Sequence, residues 1–344
     1  MKKLQATEYM YASARLRAME NRLIGRERME LLMEARSADE VMDRLAEYGI
    51  SPAETEAEGL LAGAEVGAAR EGMLLALLRE AYGEVEAAVP DPAAFRYFRY
   101  PYDCNNLKAA LKCGIRGIPA GDMLFDFGTV PAGEVETLLR EGKYAAFPKA
   151  MAAAVSVAKD AFDKTGDPRR IDMVLDRACF EDMLREATES GDEVLMGWLR
   201  AKIDLLNLLM CLRILRMGTG AVGRGFLEES LLPGGTLKAA FLLDAYDGGE
   251  TYLFERISHT PYSRLSAVEC TPDLRPLSAV EKAADDTYVE LVRKDARVPF
   301  GAAVAGGYLV GCETAVKNIR ILLAAKDAGL SSDTIRERIR VSYV

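Results

Sequence analysis

Apolar residues recur along most of this chain at the spacing of one helix face. Over residues 71–82 they fall at Met73, Leu74, Leu77, Leu78 and Ala81, the three-and-four step that lines one side of an α-helix. Residues 37–48 repeat it with Val41, Leu45 and Tyr48. There Ser37 suits the cap position and Gly49 the stop. Near the C-terminus, Ser332 is placed to cap a last helix whose Ile335, Ile339 and Tyr343 share a stripe. Residues 203–215 are apolar nearly all round, broken only by Asp204, Asn207 and Arg213, which marks a helix buried on most sides. Alternation of period two is confined to Tyr252-Leu253-Phe254 and Tyr288-Val289-Glu290-Leu291, and neither has a hairpin partner at turn spacing. The pattern predicts an all-α protein. Turn residues separate its helices at 49–52, 90–92, 114–122, 165–168, 218–225 and 247–249. None is rich enough in Ser and Pro to be a flexible linker, so the chain reads as one compact unit.

A short polar-apolar pattern occurs three times within this helical background. The copies are Asn106-Leu107-Lys108-Ala109-Ala110-Leu111-Lys112, Asn207-Leu208-Leu209-Met210-Cys211-Leu212-Arg213 and Asn318-Ile319-Arg320-Ile321-Leu322-Leu323-Ala324, starting 101 and 111 residues apart. Openings at Ser37, Pro131 and Pro233 keep step with them. Repeats of this kind govern a fold, and they divide the chain approximately into 1–120, 121–222 and 223–344. Asp103 and Asp204 each stand three residues before the Asn of their copy, on the same helix face. In the third copy Ala315 occupies that place, and the nearest acid is Glu313. A buried polar pair needs partners, because an unsatisfied amide costs about 1–3 kcal/mol. Two readings follow: the pairs lock neighbouring helices in register, or they line a polar surface where three units meet a partner.

Charge and composition narrow the field. The net charge is −9 and the pI about 5.1, against nucleic-acid binding, which needs clustered Lys and Arg. The six cysteines include no C-x-x-C pair, and several fall in apolar helical stretches. They read as buried free thiols in a reducing compartment. The N-terminal residues are followed by no apolar signal region. The longest uncharged apolar run, 298–312, is too short to span a bilayer and is punctuated by glycine. A cytoplasmic chain is expected.

Candidate chemistry is sparse. Gly218-Thr219-Gly220-Ala221-Val222-Gly223 spells a dinucleotide fingerprint, but it follows a helix where that motif requires a strand; it reads as a loop between helices. Residues 301–307 are glycine-rich without the G-K-[ST] ending of a phosphate loop. His259 is the only histidine, which rules out a His-rich zinc site and leaves a Ser-His-Asp triad a stretch. It reads as a loop residue, and Trp198 as core. No metal or cofactor site is expected. The weight moves from enzyme to mechanical or binding part; the alternatives are a helical scaffold for a partner helix, or a nucleotide enzyme using the Gly218 loop.

The opening Tyr9-Met10-Tyr11-Ala12-Ser13-Ala14-Arg15-Leu16-Arg17-Ala18-Met19-Glu20 resembles the first helix of the C-subunit family of V-type and archaeal-type (A-type) ATP synthases, whose eukaryotic V-ATPase counterpart is the d subunit. The likeness continues through Tyr102-Asp103-Cys104-Asn105-Asn106-Leu107-Lys108, Ile203-Asp204-Leu205-Leu206-Asn207 with Arg213, Leu231-Leu232-Pro233-Gly234-Gly235, Lys317-Asn318-Ile319-Arg320 and the last residues. It covers essentially the whole chain. The resemblance implies a funnel-shaped body of three helical repeats about a pseudo-threefold axis. It implies a non-catalytic part that takes the foot of the central stalk, made by the D and F subunits, and caps the membrane rotor ring of c/K-type proteolipid subunits on its cytoplasmic side. Torque would pass through it, with no cofactor. Arg15, Asp103, Asn106, Asp204, Asn207 and Arg320 are the candidates for its partner-facing polar surface.

Overall fold

Helix starts and stops are set locally, as the sequence suggests, in a computed structural model that describes residues 4–50, 63–217, 223–269 and 275–344. α1 (Met10–Glu20), α2 (Arg26–Met33), α3 (Ala38–Glu47) and α4 (Gly63–Ala88) come first. Ser37 caps α3, its hydroxyl accepting from the Glu40 amide at 3.2 Å, and Gly49 follows with a positive φ of 80°. α5 (Tyr100–Arg116), α6 (Ala132–Glu141), α7 (Lys149–Thr165), α8 (Arg169–Ser190), α9 (Glu193–Met217), α10 (Arg224–Ser230), α11 (Ala239–Asp247) and α12 (Gly249–Ser258) form the middle of the chain. α13 (Leu277–Asp295), α14 (Ala302–Asp327) and α15 (Ser332–Arg336) close it. No strand occurs among the described residues, and the two alternating segments lie inside α12 and α13. Their side chains pack at helical spacing, with Leu253, Phe254 and Ile257 buried on α12.

The chain divides into two units, one of residues 93–266 and one of residues 4–92 with 267–344. In the first, α7 and α8 form an antiparallel hairpin turned at Gly166, and α5 and α9 pack against α8. Asp182 of α8, fully buried, accepts from the Ala150 and Met151 amides at 2.8 and 2.9 Å. It thereby satisfies donors that the first turn of α7 leaves without helical partners. α9 is buried nearly all round over residues 203–212, where its sequence is mostly apolar, with Trp198 also in the core.

In the second unit α14 is the central helix, packed against α1, α3, α4 and α13. Its first turns, 302–312, are entirely buried. Gly307 and Gly311 leave a groove there; a Cβ on either would strike the Tyr343 ring or hydroxyl. The C-terminal segment lies in that groove, and its course corrects two details of the sequence reading. Ser331, not Ser332, caps α15, accepting from the Thr334 amide at 3.3 Å; Ser332 instead donates to the Met33 carbonyl at 2.9 Å. The helix also stops at Arg336, short of the stripe ending at Tyr343. Ile339 and Tyr343 are buried all the same, because side chains of α13 and α14 take over the backbone hydrogen bonds of 340–341 that a longer helix would have made.

Candidate functional site

The repeated Asn does the same thing in each copy. Asn106 Nδ2 donates to the Phe125 carbonyl while its Oδ1 accepts from the Phe125 amide, both at 2.8 Å. Asn207 holds Leu232 in the same way at 3.0 and 2.8 Å, and Asn318 holds Arg340 at 3.0 and 2.9 Å. A side-chain amide thus mimics one rung of a peptide ladder and pins one loop residue to the helix. All three are at most 3% exposed, so the Asn side chain has no water as an alternative partner.

The acid one turn earlier adds a second pin, four residues further along the loop. Asp103 accepts from the Thr129 amide at 2.8 Å, the Thr129 hydroxyl at 2.7 Å and the Val130 amide at 3.1 Å. Asp204 accepts from the Thr236 amide and hydroxyl, the Leu237 amide at 2.9 Å and the Tyr262 hydroxyl at 2.7 Å. Gly128 and Gly235 precede those threonines, and a Cβ on either would run into the carboxylate. The recurrent partner of the acid is therefore Gly-Thr. That dipeptide was legible as Gly128-Thr129 and Gly235-Thr236, but it falls 26 and 32 residues after the acid, and this unequal spacing hides it from a fixed-period search. Burial pushes the Asp103 carboxyl above the usual carboxylate range, opposed by the Thr129 and Val130 hydrogen bonds. Burial and the bond to Asp204 push the Tyr262 phenol up.

The third copy, lacking the acid, is completed from another helix. Asp286 of α13, 2% exposed, accepts from the Val341 amide at 2.7 Å and pairs with Lys282 at 2.6 Å. Nothing in the sequence around Asn318 points to it.

Of the six candidate residues, Asp103, Asn106, Asp204 and Asn207 are buried and bonded to their own chain. Arg15 and Arg320 keep about half of their side chains exposed, at 43% and 47%. Arg15 Nε pairs with Glu84 at 2.9 Å and its Nη1 donates to the Tyr11 hydroxyl at 3.4 Å. Arg320 makes a two-point pair with Glu71 at 2.6 and 2.9 Å. Both acids lie on α4, so α1, α4 and α14 share a charged exterior, beside which Met10 and Tyr11 stand 55% and 66% exposed.

The features weighed for chemistry stay apart. His259 is exposed at the end of α12. The glycine fingerprint follows α9, a helix, and its residues 218–222 lie outside the described residues. Five cysteines are free and buried, and Cys270 lies outside the described residues. Burial pushes the Cys211 and Cys312 thiols up to about 12, which makes them poor nucleophiles. Among the described residues no cluster of His, Cys, Asp or Glu fits a metal ion, and no helix is long and apolar enough to cross a membrane.

A family model described as ATP synthase (C/AC39) subunit matches residues 12–338, from the first turn of α1 to beyond α15. The chain belongs to that family. Its relatives include the C subunit of the A-type ATP synthase of Thermococcus onnurineus, 23% identical over 97% of this chain and 90% of the relative. That of Methanocaldococcus jannaschii is 24% identical over 95% and 85%. The C subunit of the V-type ATP synthase of Thermus thermophilus is 24% identical over 69% and 71%. The family match includes all three clamping Asn residues and both Gly-Thr partners, so this C/AC39 chain carries its loop clamps inside the family's span.

Proposed function

We propose that this chain is the coupling part of a V/A-type rotary ATP synthase or ATPase. It joins the central stalk, made by the D and F subunits, to the membrane rotor ring and passes torque between them on the cytoplasmic side. The observation that carries the proposal is the family match over nearly the whole chain, supported by relatives named as the C subunit of A-type and V-type ATP synthases. The architecture suits the task. A coupler must resist twisting, and packed helices whose loops are pinned to them by buried side chains supply stiffness. We further propose that the three clamped helices are equivalent parts of three repeats about a pseudo-threefold axis.

The chain has no catalytic role in this reading; ion and nucleotide chemistry belong to other subunits. A body seated on a ring of different symmetry cannot match it residue for residue, so its contacts are polar and adaptable. Of the candidates, Arg15 and Arg320 are the groups free to serve there, since their present partners are surface acids, and exposed ion pairs are exchanged at little cost.

Cross-linking mass spectrometry on the membrane fraction tests the assignment. Links from this chain both to a stalk coiled coil and to a ring loop are expected. Recovery of an assembled complex in which the chain is absent, or linked to neither, would overturn it.

A further inference from the structure

α5 and α8 run antiparallel in the unit of residues 93–266, and their facing side chains meet as rungs one turn apart. Lys112 pairs with Asp172 at 2.5 Å, and one turn away Lys108 pairs with Asp176. As the α5 number falls by four, the α8 number rises by four. That step brings Cys104 of α5 to the level of Phe180 of α8, and the neighbouring Cys179, three residues beyond Asp176 on the same face, hydrogen-bonds with Cys104. Cys104 Sγ donates to Asp176 Oδ1 at 3.7 Å, which fixes the thiol on the α8 side of its helix. Both cysteines are free and 2% exposed. Two ion-pair rungs are thus followed by a rung of two thiols, a combination that neither packing nor charge requires.

We propose that Cys104 and Cys179 are a redox-responsive pair whose oxidation joins α5 to α8 by a disulfide. A peroxide is the oxidant. One sulfur, as its thiolate, attacks the O–O bond, taking one oxygen as a sulfenic acid; the other oxygen leaves as water with the thiol's proton. The second sulfur then attacks the sulfenic sulfur, the S–S bond forms, the S–O bond breaks, and hydroxide leaves as water with the second thiol's proton. Two thiols lose two hydrogens and the peroxide is reduced to two waters. A hydrogen bond with Cys104, and burial, hold the Cys179 thiol well above its usual range. The link would close a long loop, between residues 104 and 179, and stiffen the helix pair at its core.

The test uses the full reduced chain, treated with hydrogen peroxide, alkylated and digested without reductant. Mass spectrometry is expected to show Cys104 and Cys179 peptides joined and lighter by two hydrogens. Conversion of Met123, 56% exposed, to its sulfoxide shows that the dose was effective. The unfolding midpoint is expected to rise by about 5–10 °C, to fall back with dithiothreitol, and to stay fixed in Cys104→Ser and Cys179→Ser. The proposal fails if Met123 is oxidised while the joined peptide is absent, or if either cysteine links elsewhere instead. It fails also if the joined peptide forms without a rise in the midpoint. The peptide result needs no variant, so a variant that does not fold leaves the test intact.

Discussion

The Asn207 helix and the Asn318 helix hold their loops by the same amide pair yet differ one turn earlier. In α9, Asp204 takes four donors and pins Thr236, four residues past the Asn207 contact. In α14 Ala315 stands there, and the segment past Arg340 is held by Asp286 of α13 at Val341 and by Tyr343 lying in the glycine groove. One mode is polar and carried on one helix; the other is divided among two helices and an aromatic ring. The comparison teaches that an amide clamp fixes one point of a loop, whereas the direction the chain takes from there needs a second contact that need not come from the same helix.

The sharpest break is removal of the acid that the third copy lacks. Asp204→Ala takes the acceptor from four donors, the buried Tyr262 hydroxyl and the part-buried Thr236 and Leu237 groups, and unfolding in denaturant should show a loss of about 4 kcal/mol. Asp103→Ala, with three, should lose about 3 kcal/mol. Asp286→Ala removes the Val341 contact and a partly exposed lysine pair, and a loss as large as that of Asp204→Ala would abolish the contrast.

The shared element is tested next. Asn106→Ala, Asn207→Ala and Asn318→Ala each orphan one amide and one carbonyl, and each should cost about 2–3 kcal/mol. Similar losses in all three mean equal clamps; a neutral Asn318→Ala would show that the tail is held by Asp286 and Tyr343 alone. Gly235→Ala forces a methyl against the Asp204 carboxylate and should cost about 1–3 kcal/mol.

Acid titration addresses Asp103. Its native value is raised, so its contribution is fully present below the unfolded value of about 4 and is lost as pH rises through the raised value. The stability of Asp103→Asn should therefore vary less with pH across that interval than that of the unchanged chain. Last, Arg15→Ala and Arg320→Ala should leave the unfolding midpoint nearly unmoved, because both pairs are exposed. Reduced cross-linking to the stalk or ring with the midpoint intact is the outcome expected of partner-facing groups.

Much of this was written locally. The helical period, the Ser37 cap and the turns at 165–168 and 247–249 follow from backbone and side-chain preferences acting over a few residues. The three Asn positions and the missing acid at Ala315 could be read directly, as could the family resemblance. The Gly-Thr partners, the contribution of Asp286 and the helix end at Arg336 could not. Each depends on groups brought together from 22 to 55 residues apart, at spacings that loop length sets without periodicity. The sequence determined that the chain is helical and that certain polar side chains recur inside it, because burying them demands partners. Which backbone groups those partners are was decided by tertiary structure alone, since a buried carboxylate or amide is satisfied by whatever donor the packed loops deliver within about 3 Å.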